Sequence, residues 1–213
     1  MAEDPDVIHP IEGTVSILLI SDFVCPWCYI GLVEAERLER EYDVEIRHAP
    51  YLLDPGTPPE GKPRRPMTRP EDPPTEMELR AESLGIKFSR GRTWTSNSIL
   101  SHEGAEFAHH HGKAGPYARA MFKAYFEDLA DIGKQETVLD VGESVGLDRK
   151  ELKEVLDEGV FRQEVLNALG WAREIGISGV PAFIFEEKWL IPGAQDHEVF
   201  ASILGKLGKT PRA

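Results

Sequence analysis

The run Thr14 to Ser21 is apolar at nearly every position, and four residues past its end begins Cys25-Pro26-Trp27-Cys28, which holds the only two cysteines of the chain. So apolar a run, rich in Val, Ile and Leu, reads as a buried strand. Pro26 suits the first turn of a following helix, where a missing N–H costs nothing. Ile30, Val33, Leu38 and Tyr42, with Glu and Arg between them, then give an amphipathic helix to about Glu41. Val44 to Leu53 alternates loosely and reads as a second strand, ending at Asp54-Pro55-Gly56. Two strands joined through a helix run parallel, so the chain opens as a β-α-β unit with a thiol pair at its strand-to-helix junction.

That junction gives the thiols a mechanism. Cys25 falls at the helix N-terminus, where unpaired backbone N–H groups and the helix dipole favour a thiolate, and Cys28 lies one turn later. Any internal disulfide must join these two. So small a ring adds little global stability, because the benefit of a cross-link grows with loop length, and a purely structural staple is a weak reading. Thiol–disulfide exchange needs one thiol to attack and a second to resolve the mixed disulfide. Cys25, with the more exposed sulfur, is the expected nucleophile and Cys28 the resolving thiol. A metal site would need two more ligands. His109, His110 and His111 are the available source, and they read better as a solvated helix end before Gly112. No metal is expected.

Composition narrows the class. The length of 213 residues suits one domain, or one domain carrying a large insertion. A net charge of −13, from 24 basic and 37 acidic residues, argues against nucleic acid. The only modest basic cluster, Lys62 to Arg69, is interrupted by prolines. Val15 to Ile20 is too short to span a bilayer, so no membrane partner is expected. The acidic start Met1-Ala2-Glu3-Asp4-Pro5-Asp6 lacks the basic and apolar regions of a secretory signal, which points to a cytoplasmic protein. In a reducing compartment a redox thiol pair is transient and catalytic rather than structural.

Of the twenty residues from Pro55 to Pro74, eight are proline, so this segment reads as an extended surface connection and not as an element. From about Thr75 to Gly176 the chain reads helical. Thr75-x-x-Glu78 and Asp148-x-x-Glu151 are capping-box patterns. Tyr117, Met121, Tyr125, Phe126 and Leu129, behind Pro116, form one apolar stripe. Phe161, Val165, Leu166, Leu169, Ala172 and Ile175 form another. Both stripes are expected to be core. Pro181 to Glu186 and Lys188 to Ile191 read as an antiparallel hairpin turning at Glu186-Glu187, and a last helix runs from about Asp196 to Lys206.

The second signal is Gly176-Ile177-Ser178-Gly179-Val180-Pro181-Ala182-Phe183, directly before the hairpin. Pro181 can lead a strand without a donor, and Val180–Pro181 is a candidate cis peptide. A bend there, placed beside Cys25, would leave the Val180 backbone free to pair with an extended substrate. Asp22-Phe23-Val24-Cys25-Pro26-Trp27-Cys28-Tyr29-Ile30-Gly31, with this second segment about 150 residues on, resembles the DsbA family of thiol–disulfide oxidoreductases. The resemblance is to its cytoplasmic FrnE-like branch, which Gly193-Ala194-Gln195 also matches, and it covers nearly the whole chain.

The resemblance implies an α/β thioredoxin fold, β-α-β then β-β-α in a mixed sheet, with a large all-helical insertion. Residues 12–55 and 161–209 would form the thioredoxin-like domain, and residues 56–160 the proline-rich connection and insertion. It implies Cys25 as nucleophile, Cys28 as resolving cysteine, Pro181 as the cis-proline facing them, and Pro26 and Trp27 as the dipeptide that tunes potential. Gly179 and Val180 complete the substrate-binding segment. Partners would be thiol- or disulfide-bearing proteins or small thiols, with no cofactor beyond the Cys25–Cys28 disulfide, glutathione as a conceivable co-substrate, and a homodimer open. One position departs from the pattern. Many thioredoxin-fold enzymes carry a buried carboxylate six residues before the first cysteine, and Leu19 stands there. Asp22, water or a backbone-held path remain open as proton acceptors for Cys28, and Asp22 serves equally as a strand-end cap. The competing readings are a glutathione-dependent isomerase or kappa-type transferase, whose members usually have serine at the position of Cys25, and a non-catalytic peptide-holding chaperone.

Overall fold

Strand β1 (Val15–Ser21) is covered on both faces in the computed structural model, which describes residues 12–212. Val15, Ile17 and Leu19 point into one apolar cluster, Leu18 and Ile20 into another. Helix α1 (Pro26–Glu41) follows, with Cys25 as its N-cap residue and Pro26 in its first turn. Strand β2 (Val44–Pro50) pairs parallel to β1, from Val15 opposite Val44 to Ser21 opposite Pro50. It ends three residues before the expected Leu53, because the backbone there changes partners. The Leu53 N–H leaves the ladder and donates to the Asp22 carboxylate at 2.7 Å.

The other half of the sheet comes from the far end of the chain. Strands β5 (Ala182–Phe185) and β6 (Trp189–Pro192) are antiparallel neighbours, and β5 pairs antiparallel to β1. The order is therefore β2-β1-β5-β6. The hairpin turns at Glu186 and Glu187, both in the left-handed region at φ of 51° and 56°. Glu186 is held there by its own N–H donating to Ser16 C=O at 2.9 Å and its carboxylate accepting the Ser16 N–H at 2.7 Å. Helix α8 (His197–Lys206) packs Phe200 and Leu204 with Phe183 and Phe185 on the α1 side of the sheet. Helix α7 (Arg162–Glu174) covers the opposite face with Leu169 and Ala172. This is a mixed-sheet thioredoxin architecture.

Between β2 and α7 lie helices α2 (Glu76–Ser83), α3 (Ile99–His110), α4 (Ala114–Phe126), α5 (Gln135–Ser144) and α6 (Arg149–Glu158). Thr75 and Glu78 form the complete reciprocal cap of α2, while Asp148 caps α6 by accepting the Glu151 N–H at 2.8 Å. Three expectations need correcting. The proline-rich connection contains strand β3 (Lys62–Pro63), which pairs with β4 (Trp94–Thr95) inside the span expected to be helical. Gly61 at φ +78° allows that pairing, since a Cβ there would strike the Trp94 ring at 2.3 Å. Leu129 lies beyond the end of α4, exposed at φ 56°, as the Ala130 N–H returns to Ala124 C=O at 2.8 Å. Leu166 and Ile175 are also exposed, so the α7 core stripe is narrower than its spacing suggests.

Helix α1 meets the segment that leads into β5 at Gly31. A Cβ on this residue would stand 3.0 and 3.2 Å from the Pro181 ring and 3.3 Å from Phe183. The first turns of α1 can therefore lie directly against the segment that leads into β5. Alanine is favoured over glycine inside a helix by about 1 kcal/mol, but the Pro181 ring cannot swing aside to accept the methyl group. Gly31→Ala should therefore lower stability by about 1–3 kcal/mol in urea unfolding of the reduced protein. An increase in stability would show that the segment yields freely.

Candidate active site

Cys25 owes its position to three constraints. Its N–H donates to Asp22 C=O at 3.0 Å, its C=O accepts the Cys28 N–H at 3.1 Å, and its extended backbone (φ −95°, ψ 117°) caps α1. Its Sγ lies 3.5 Å from the Val180 carbonyl oxygen, a residue 155 positions later. The Val180–Pro181 peptide is cis. The fold thus brings together Cys25, Cys28, Val180 and Pro181. Trp27 stands beside them with 40% of its surface exposed. Gly179 is exposed, and a Cβ on it would meet nothing within 4 Å, so packing does not demand glycine there.

The expected exposure of the Cys25 sulfur needs correcting, because the segment before Pro181 lies over it. Cys25 retains 4% of its surface and Cys28 none. Both cysteines are free thiols. Their electrostatics diverge sharply. The Cys28 S–H, donating toward Cys25, is the strongest influence holding the Cys25 thiol below its usual range, and the backbone N–H groups of Cys28 and Trp27 act the same way. Burial and the Asp22 charge oppose them. Cys28 is pushed well above the usual thiol range, first by burial and then by its bond to Cys25. One thiol is prepared to ionise and the other to keep its proton.

Asp22 lies under this pair, 1% exposed. Its carboxylate accepts from Val24 N–H at 3.3 Å, Leu53 N–H at 2.7 Å and the Ser98 hydroxyl at 2.7 Å, with His102 Nε2 at 3.6 Å. It ties the end of β1 to the start of α3, the strand-end role, and its charge disfavours both thiolates. Leu19 is fully buried on the α1 face and offers no proton acceptor. Among the described residues no group of three or more metal-ligating side chains converges, and no helix is long and apolar enough to cross a membrane. His109 and His110 end α3 exposed, with His111 just beyond.

A family model for the DSBA-like thioredoxin domain matches residues 16–205. The chain belongs to the DSBA-like family. YwbO of Bacillus subtilis strain 168, itself uncharacterised, is 31% identical over 189 residues, covering 88% of this chain and 94% of the relative. The probable DsbA oxidoreductase SCO1869 from Streptomyces coelicolor superposes with a TM-score of 0.79 at 22% identity, over 91% of this chain and 90% of that one. A 2-hydroxychromene-2-carboxylate isomerase superposes with a TM-score of 0.71 at 17% identity, over 91% and 96%. These two structures share the fold of this DSBA-like chain.

Three contributors to the site had no contact of theirs announced by the local sequence. Gly31 could be flagged only as a glycine inside a helical pattern. Ser98 and His102 reach Asp22 from a helix some 75 residues away, and nothing local announces that contact. The thiol asymmetry generates a directional test. Iodoacetamide labelling of Cys25 against pH should inflect below the usual thiol value of about 8.5. Cys28→Ala removes the strongest acidifying influence and should move the inflection upward, while Cys28→Ser, which keeps a donor, should move it less. An unchanged inflection in Cys28→Ala would contradict the assignment.

Proposed function

We propose that this chain is a thiol–disulfide oxidoreductase that exchanges disulfides with protein or small-molecule thiols through Cys25 and Cys28. The observation that carries the reading is the pair itself: a Cys25 thiol at a helix N-terminus, favoured as thiolate by a fully buried Cys28 that keeps its proton. In the reducing direction the Cys25 thiolate attacks one sulfur of a substrate disulfide. That S–S bond breaks, a Cys25–substrate disulfide forms, and the departing thiolate takes a proton from solvent. Cys28 then loses its proton and attacks Cys25 Sγ, releasing the second substrate thiol. The substrate has gained two electrons and two protons, and Cys25–Cys28 is the disulfide. Run backwards, the same steps oxidise a substrate dithiol.

Val180 and Pro181 serve as the substrate rail in this reading. The Val180 C=O already faces Cys25, and its N–H has no partner among the described residues. An extended substrate backbone can therefore pair with Val180 as an added strand while presenting its sulfur to Cys25. Pro26 and Trp27 border the approach. The FrnE-like branch, a cytoplasmic setting and glutathione as co-substrate rest on the sequence resemblance; the acidic segment Met1 to Asp6 lies outside the described residues. A glutathione-dependent isomerase would share the fold without needing Cys28.

Removing each thiol separates these readings. Cys25→Ala should abolish the protein's acceleration of insulin reduction by dithiothreitol, and Cys28→Ala, mixed with a disulfide substrate, should accumulate a mixed disulfide through Cys25, seen as a mass increase that a reductant reverses. Full activity in Cys25→Ala would overturn the exchange reading in favour of a peptide-holding role. Full activity in Cys28→Ala would favour chemistry on an external thiol.

A further inference from the structure

The Lys62–Arg69 cluster is the sequence feature that exchange chemistry leaves unused, and the fold carries it to the active site. The β3–β4 ladder and the Arg64 N–H, which donates to Thr93 C=O at 2.9 Å, hold Arg64 beside the segment bearing Arg92. Both arginines line a shallow groove with Met67, Phe88, Phe126 and Pro26, the residue after Cys25. About 60 Å³ of free space gives it room for an end group and not for a whole substrate.

The arginines of this groove are not equivalent. Arg90 is committed, with Nε and Nη2 each 2.9 Å from the Glu78 carboxylate, so these two charges cancel. Arg64 and Arg92 form no ion pair among the described residues. Arg92 stacks on the Tyr125 ring at 3.7 Å and reaches the Ala130 carbonyl only at 3.5 Å, while its buried Nη2 has no partner. The Tyr125 hydroxyl beneath it is also buried without a partner. The acid acting on Arg92 is Asp131, which is already engaged by the Ser96 hydroxyl at 2.6 Å and the Gly133 N–H at 3.2 Å. Burial and the neighbouring Arg64 both work against the Arg92 charge. A bound anion would relieve both costs at once, and the guanidinium fork suits a carboxylate.

We propose that Arg64 and Arg92 form a subsite that receives a carboxylate of a small disulfide substrate, so that exchange at Cys25 favours carboxylate-bearing disulfides over neutral or cationic ones. This rests on the exchange reading above. A small substrate fits better than an acidic polypeptide, because the net charge of −13 repels an extended acidic surface while a single end group meets the local arginine field.

The test uses three small disulfides that differ in charge: 3,3′-dithiodipropionate, bis(2-hydroxyethyl) disulfide and cystamine. Rates of oxidation of the reduced protein are compared as variant-to-wild-type ratios, which cancels the intrinsic reactivity of each reagent. Arg64→Gln should slow the dithiodipropionate reaction about tenfold, leave the hydroxyethyl reaction within about twofold, and speed the cystamine reaction. Arg92→Lys keeps the charge but loses the fork, so it should slow dithiodipropionate alone and less strongly. Added salt at about 0.5 M should remove most of the wild-type preference. Urea unfolding of each variant checks that the fold is kept. Equal changes with all three reagents, or none, would overturn the subsite and leave the exchange reading standing. A wild-type protein inert to all three would overturn the exchange reading and the subsite with it.

Discussion

A hydrogen atom where any other residue has a side chain allows α1 to touch the segment before β5. The Gly31–Pro181 approach joins two parts of the chain that are 150 residues apart. Because β1 pairs with β2 on one side and β5 on the other, the sheet already places both parts at the same end. The missing Cβ then closes the last gap and sets the Val180 carbonyl 3.5 Å from Cys25 Sγ. Moving α1 outward would open that distance, and it would also uncover Cys28, whose burial distinguishes the two thiols.

That distinction is the chemical content of the fold. Two cysteines of the same intrinsic acidity are driven apart because one caps a helix at its N-terminus and the other is buried in its first turn. The helix N-terminus offers N–H groups to Cys25, while at Cys28 burial and the bond to Cys25 outweigh the one backbone hydrogen bond that favours a charge. The bond between them amplifies the difference, since a thiol that keeps its proton remains a donor to its neighbour. Asp22 fits this scheme as an anchor. Its three hydrogen bonds fix the strand end from which Cys25 hangs, at the cost of a charge that disfavours both thiolates.

Much of this was legible in the sequence, and the reasons are physical. The apolar run through β1 has no polar position to spare, so burial on both faces was forced. The Cys25–Cys28 spacing behind Pro26 placed one thiol at the cap and one in the first turn. The Glu186-Glu187 turn and the bounds of α1 and α8 follow from similarly local rules. Contacts that span the chain were not legible. The β3–β4 ladder pairs two residues with two, too short to leave an alternation, and Leu129 continues an apolar spacing that the backbone has already abandoned. The Lys62–Arg69 cluster looked like a surface run because its place beside Pro26 is set by the β3–β4 pairing. Ser98 and His102 reach Asp22 only through tertiary packing, and Cys25 is covered by a segment 155 residues away.

The central claim is that Cys25 and Cys28 are one two-electron couple held by this geometry. Equilibration of the protein in buffers of defined reduced-to-oxidised glutathione ratio, quenched with acid and read by mass after alkylation, tests it most directly. The account predicts a single transition between species with two and with no alkylatable thiols, fitting a two-electron curve in which a tenfold change in equilibrium constant spans about 30 mV. A protein that keeps both thiols alkylatable at every ratio, or that stops at a stable glutathione adduct on Cys25, would contradict it.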